Sequence, residues 1–143
     1  MVHSGIHTNR ALRICLMGST YPRYHSDNAV PWLRETVKRL KSRGHEIVLL
    51  APSYQKLSNH EIDGTKVVRF RYAPRYFERL THEEGAPTRI RSKGNQLLAV
   101  PHIISGTLSL HSLIKKNGFD LINVHWPFPH GLFCLLGGNP QKL

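Results

Sequence analysis

Apolar and polar positions alternate in blocks along this chain. Leu12, Ile14, Leu16 and Met17 form a short apolar run that stops at Gly18 and reads as a buried strand over 12–17. A polar stretch of turn formers follows and ends in Asp27-Asn28, residue types that cap helices. Pro31 then falls in a first helical turn, where its missing N–H does no harm. Val30, Leu33, Val37 and Leu40 recur on one helical face, and Arg34, Lys38, Arg39, Lys41 and Arg43 occupy the others. This spacing predicts a helix over 29–43 that Gly44 closes. HEIVLLA, at 45–51, is a second buried strand, and pairing it with the first across the helix gives a right-handed βαβ unit.

The pattern then loosens. A third strand is predicted over 66–72, with Val68, Phe70 and Tyr72 on one face and Val67, Arg69 and Arg71 on the other, which suits a position near a sheet edge. Residues 76–91 read as loop. Helical spacing returns over 96–117 through Leu97, Ile104 and Leu108, and Pro101 is expected to break this helix or mark a later start. A fourth strand is predicted over 119–124. Strands alternating with helices imply an α/β domain, a Rossmann-like, mainly parallel sheet with flanking helices. The expected division is a disordered N-terminus over 1–11, the domain proper over 12–133, and an irregular tail over 134–143.

Composition narrows the picture. The chain has 143 residues, about the size of one domain. No uninterrupted apolar run approaches the ~18 residues of a membrane span, and no secretory signal pattern opens the chain. Cys15 and Cys134 lie far apart without zinc-like spacing, so reduced thiols and a cytoplasmic setting are expected. The formal charge of +11 asks for an anionic partner, and an acidic membrane surface at the inner face is one candidate. No RNP, KH, zinc-finger or helix-turn-helix pattern accompanies the charge, so no nucleic acid is expected. The ten histidines are scattered without metal-ligand spacing, and no metal or other cofactor is expected.

Two loops leave strand ends, where ligands of parallel sheets bind. After the first strand, Gly18 and Ser19 could turn backbone N–H groups toward an anion. Tyr21, Arg23, His25 and Asp27 could hydrogen-bond a sugar or phosphate, and equally they could form an ordinary polar loop. Gly18 lacks the spaced glycines of a dinucleotide fingerprint. After the fourth strand, VHWPFPHG holds an aromatic ring and two imidazoles in a proline-fixed turn. Trp126 and Phe128 offer flat faces to a sugar ring or an aliphatic chain. His125 titrates near neutral pH and suits a proton-transfer role; the alternative is that it caps the strand while Trp126 fills a seam.

The blocks YPRYHSDNAVPWL, RGHEIVLLAPS, VVRFRYAPR, LTHEEGAP and FDLINVHWPFPHG, in this order, resemble the N-terminal domain of a family four glycosyltransferase. The resemblance implies the N-terminal, acceptor-side half of a GT-B fold, in which a second Rossmann-like domain holds the nucleotide sugar. It implies retaining, metal-independent transfer from a nucleotide-sugar donor to a glycan or lipid-linked acceptor. Carried over, His125 would be catalytic. Gly18, Ser19, Tyr21, Arg23, Asp27, Asn28, Trp126, His130 and Gly131 would bind substrate. Asp27-Asn28 stand where many relatives have paired glycines. On this reading the chain is a truncated half without its donor domain and inactive alone. The alternative is a non-catalytic basic α/β module that binds anionic membrane or lipid-linked glycan.

Overall fold

The computed structural model describes residues 10–81 and 93–137. Residues 1–9 of the segment expected to be disordered over 1–11, most of the predicted loop 76–91, and residues 138–143 of the expected tail lie outside the described residues. The elements run β1 (Arg13–Met17), α1 (Pro31–Ser42), β2 (Glu46–Pro52), β3 (His60–Ile62), β4 (Thr65–Phe70), α2 (Lys93–Asn117), β5 (Leu121–Val124) and α3 (Leu132–Gly137). They form a five-stranded sheet of order β3-β4-β2-β1-β5. β1, β2, β4 and β5 are parallel, and β3 pairs antiparallel with β4. This is the expected α/β Rossmann-like architecture, with one strand more than the sequence predicts.

Side-chain alternation sorts the sheet into two faces. Ile14, Leu16, Ile47, Leu49, Ala51 and Val67 enter one apolar cluster with Leu33 and Val37 of α1. Cys15, Met17, Val48, Leu50 and Phe70 enter another with Leu110 and Leu113 of α2 and Phe133 and Cys134 of α3. Helices thus cover both faces, which explains why β2 is buried along almost its whole length.

The predicted helix end at Gly44 is a Schellman motif. Gly44 has φ +88° and donates to the Lys41 carbonyl, while the His45 N–H reaches back to Leu40. The start differs from expectation. Asp27 does not cap α1; the N-cap is Val30 (φ 44°), with Pro31 directly after it. Asp27 is used one turn earlier, accepting hydrogen bonds from the N–H groups of Arg23 (3.0 Å) and Ala29 (3.1 Å). The helix over 93–117 also runs through Pro101 without a break. The carbonyl that loses its partner there belongs to exposed Leu97, where solvent can replace the missing donor.

Two further corrections concern the edges. The face that carries Val67 and Arg69 is buried: Val67 packs under α1, and Arg69 is only 5% exposed. The strand lies near the sheet edge, as expected, but one place in, because β3 covers it. A two-residue turn, Asp63-Gly64, joins them, with φ +51° and +67°, the conformation Asp-Gly favours in hairpins. At the other end, the expected irregular tail begins as helix α3, whose Phe133 and Cys134 are buried. α2 is long and apolar enough to cross a membrane by length and composition, although its apolar residues are interrupted by neutral polar ones. His102, Gly106, Leu110 and Leu113 on it are buried, a use that a core helix of the same composition shares.

Candidate functional site

The chain moves from β1 to β2 on one side of the sheet centre and reaches β5 on the other side of β1. The topological switch point therefore lies between β1 and β5, where loops leaving the carboxyl ends part to form a crevice. The two sequence-predicted loops meet here. Met17 is in register with Val124, and the His125 N–H donates to the Met17 carbonyl (3.3 Å). Gly18 and His125 thus sit side by side.

Their surroundings differ from expectation. The Gly18 N–H is engaged by the Leu50 carbonyl (3.2 Å) and does not point at a ligand. Space at Gly18 is tight: a Cβ would lie 3.2 Å from the Thr20 carbonyl oxygen and 3.3 Å from a Leu33 methyl, so a larger residue needs these neighbours to give by a few tenths of an ångström. Strand alternation carries Ile122 and Val124 toward α2 and His125 to the other side. The His125 ring packs edge-on against Trp32 of α1, 5.2 Å between centroids. Burial lowers its pKa, and its Nε2 is buried without a hydrogen-bond partner among the described residues.

Trp126 turns back to the α2 side, where a pocket of about 370 Å3 opens. Ser19 from the β1 loop, Leu80 and Thr81, His102 and Ile103 of α2, and Trp126, Phe128, Pro129 and His130 line it. The turn Pro127–Gly131 is irregular, with Phe128 extended (φ −123°, ψ 133°). Trp126 and Phe128 stay largely exposed, while His130 is 1% and His102 5% exposed. Burial pushes both imidazoles down to about 4, with the neighbouring His130 adding to the shift of His102. Both are neutral at pH 7. His102 Nδ1 and both His130 ring nitrogens lack a protein partner among the described residues. A mostly apolar wall with unsatisfied neutral imidazoles can hold an uncharged, hydroxyl-bearing ligand.

Of the residues singled out from sequence, Ser19, Trp126, Phe128 and His130 line this pocket. Gly131 follows it without lining it. Tyr21 is buried in the core under α1, where burial pushes its hydroxyl up to about 12. Its carbonyl accepts from Arg69 (2.7 Å), as does that of Pro22 (3.3 Å). Arg23 pairs with Asp27 at 2.7 Å, and its guanidinium lies over the Tyr24 and Tyr54 rings at 5.5 and 5.8 Å. Burial opposes the Asp27 charge, but the Arg23 guanidinium and the two backbone N–H groups outweigh it and lower its pKa. These two residues, like Tyr21, hold the loop in shape. Asn28 is exposed beside them. His102 escaped the sequence reading because it follows Pro101 inside an apolar helix; its only signal was a histidine within an otherwise apolar run.

The cations of α1 are largely engaged. Arg34 forks onto Asp63 (2.7 and 3.0 Å), Lys41 donates to the Asp63 carbonyl (2.9 Å), and Arg39 pairs with Glu35 (2.8 Å). Lys38 also lies 3.7 Å from Asp63.

Fold and site together define a Rossmann-like domain with a ligand crevice at its switch point. Residues 30–141 match the family model described as Glycosyltransferase Family 4. The chain belongs to glycosyltransferase family 4. No curated protein matches it significantly.

Proposed function

We propose that this chain is the acceptor-side domain of a retaining, GT-B-type glycosyltransferase. It would take part in moving a sugar from a nucleotide-sugar donor to a glycan or lipid-linked acceptor. The observation that carries the reading is the switch-point pocket, where exposed aromatic faces stand over buried neutral imidazoles. Trp126 and Phe128 suit the apolar face of a sugar ring, and His130 and His102 suit its hydroxyls. His125, on the crest beside Gly18, is neutral in this setting and suits proton exchange with the acceptor hydroxyl. No charged side chain is among the described residues lining the pocket. A departing nucleoside diphosphate needs preorganised cationic or N–H donors aimed at it, so the chain is expected not to transfer sugar unaided.

Trp126 is a built-in reporter. Neutral oligosaccharides added to the purified chain should change its fluorescence, and a Trp32→Phe variant isolates that signal. Binding measured by calorimetry should weaken at least tenfold in Trp126→Ala and His130→Phe, while uridine diphosphate should leave the fluorescence unchanged. Saccharide binding that Trp126→Ala leaves intact would remove this assignment.

A second reading, attachment to an anionic membrane on its cytoplasmic face, draws support from α2 rather than from the engaged cations of α1. Leu97, Val100, Ile104 and Leu108 are each more than half exposed along its outer side. The helix carries no Asp or Glu, and Lys93, Lys115 and Lys116 flank the stripe. An apolar face with basic ends fits the headgroup boundary of an anionic bilayer. The chain should co-sediment with phosphatidylcholine vesicles containing phosphatidylglycerol, and Val100→Gln/Ile104→Gln should abolish this. Dimerisation through the same stripe, seen by light scattering and lost in the same variant, would overturn the membrane reading.

A further inference from the structure

A second depression, of about 300 Å3, opens on the same edge of the sheet. Gln55 and Lys56 line it from the loop after β2, and Arg75, Tyr76 and Arg79 from the segment after β4. These loops leave the carboxyl ends of adjacent parallel strands, as Pro52 and Phe70 are in register. Arg79 forms part of its wall, and the next two residues, Leu80 and Thr81, form part of the switch-point pocket. The two cavities are neighbours separated by one turn of chain.

We propose that this depression binds a phosphate group carried by the acceptor; the inference rests on the acceptor-side reading of the larger pocket. Lys56, Arg75 and Arg79 bring three cations to one small concavity, and no carboxylate is among the described residues lining it. Several other arginines are paired. Arg13, Arg23, Arg34, Arg39 and Arg71 each face a carboxylate within 3.1 Å, whereas neither Lys56 nor Arg75 has one within 4 Å among the described residues. Guanidinium forks match phosphate oxygens two at a time, and a lysine adds a point charge. Lys56 is already held in place, its Nζ 4.4 Å from the centre of the Tyr76 ring.

The loops beneath are fixed before any ligand arrives. Glu78 is 0% exposed and lies within hydrogen-bond distance of the Ser53 hydroxyl (2.9 Å) and the Arg71 guanidinium (3.1 Å). Its carbonyl accepts the Gln55 N–H (3.1 Å), which ties the β2 loop to the β4 segment. Gln55 and Lys56 are consecutive non-glycine residues in the left-handed region, with φ 42° and 74°. Such backbone persists where surrounding structure enforces it, and it is frequent at ligand clamps. A ligand that spans both cavities would place an uncharged, hydroxylated part under Trp126 and a phosphate on Lys56, Arg75 and Arg79. That defines the substrate class as a phosphorylated acceptor.

The test is an amide chemical-shift titration of the 15N-labelled chain at low ionic strength. Inorganic phosphate and a hexose phosphate are expected to shift the amides of 53–57 and 75–81. Lys56→Gln/Arg75→Gln should weaken both ligands at least tenfold with the remaining spectrum unchanged, and Arg39→Gln should not. Vesicles of phosphatidylcholine with phosphatidic acid form a separate arm. Shifts there but not with hexose phosphate assign the phosphate to a lipid; the reverse assigns it to a soluble glycan. Equal weakening by Arg39→Gln, or no shifts at 53–57 in any arm, overturns the proposal. Neutral saccharide that still shifts Ser19, Trp126 and His130 in that event leaves the acceptor-side reading standing. Loss of both responses removes both.

Discussion

At the scale of single residues, the buried charges near the crevice are structural pins. Arg69 has no carboxylate at hydrogen-bond distance; it donates to the carbonyls of Tyr21, Pro22 and Pro52 and so ties the loop after β1 to β2. Burial pushes it down to about 10, still far above neutral pH. Arginine is seldom buried, and nothing local in the sequence announces that three carbonyls await Arg69. Glu78 acts likewise for the loops after β2 and β4. Glu78→Ala should remove the carboxylate that the Arg71 guanidinium and the Ser53 hydroxyl share and lower stability by about 1–3 kcal/mol. Glu78→Gln, which keeps an acceptor, should lose less; urea unfolding of both variants checks the order. Asp63 gives a pH signature. The Arg34 guanidinium holds its carboxyl down to about 2, with Lys38 and His25 adding to the effect against a desolvation penalty. A folded-state pKa below the unfolded ~3.9 means stability present above pH 4 and lost as pH falls toward 2. Asp63→Asn should remove that stretch of acid sensitivity, measured as the slope of unfolding free energy against pH over that interval.

At the scale of elements, the strands of four or more residues were legible, and the short elements that depend on partners were not. β1, β2 and β5 are short apolar runs, and the Schellman ending of α1 is written in Arg43-Gly44. β3 has three residues, too few for a periodic signal, and only the Asp63-Gly64 turn betrays it. The tail over 134–143 was read as irregular because GGNPQKL is a loop composition, yet α3 carries Phe133 and Cys134 into the core. The reason lies across the interface: Phe133 rests directly on Gly106 of α2, where even a methyl group would collide with its ring. Gly106→Ala should therefore destabilise by about 1–3 kcal/mol through overpacking. Gly94→Ala, in the same helix with open space around it, should be neutral or stabilise by up to about 1 kcal/mol. Thermal melts of the pair separate packing from helix propensity, since propensity alone predicts the same sign for both.

For the whole molecule, the crevice was legible because topology locates it, whereas its chemistry was not. Two strand-end loops in sequence were enough to find the switch point, yet sequence could not say that His125 and Trp126 diverge to opposite sides of β5. Nor could it bring His102, from the middle of α2, beside His130. These two histidines also govern how the fold responds to acid. In the unfolded chain each titrates near ~6.5, whereas in the native state both are held at about 4 by burial. Between these values the unfolded chain binds more protons, so stability should rise as pH increases from 4 to 6.5 and level off above it. Each histidine can contribute on the order of 3 kcal/mol over that interval. Its midpoint lies above the window in which Asp63 protonates, so the two effects separate along the pH axis. His130→Phe should flatten the slope between pH 4 and 6.5 by about one proton and leave the pH 2–4 region unchanged. A ligand that satisfies the free ring nitrogens should deepen the same dependence, because it binds only the neutral imidazoles. Unfolding titrations at half-unit pH steps, with and without a neutral saccharide, read both effects. A slope unaltered in His130→Phe would mean that solvent already reaches the ring and that the pocket wall is not dry.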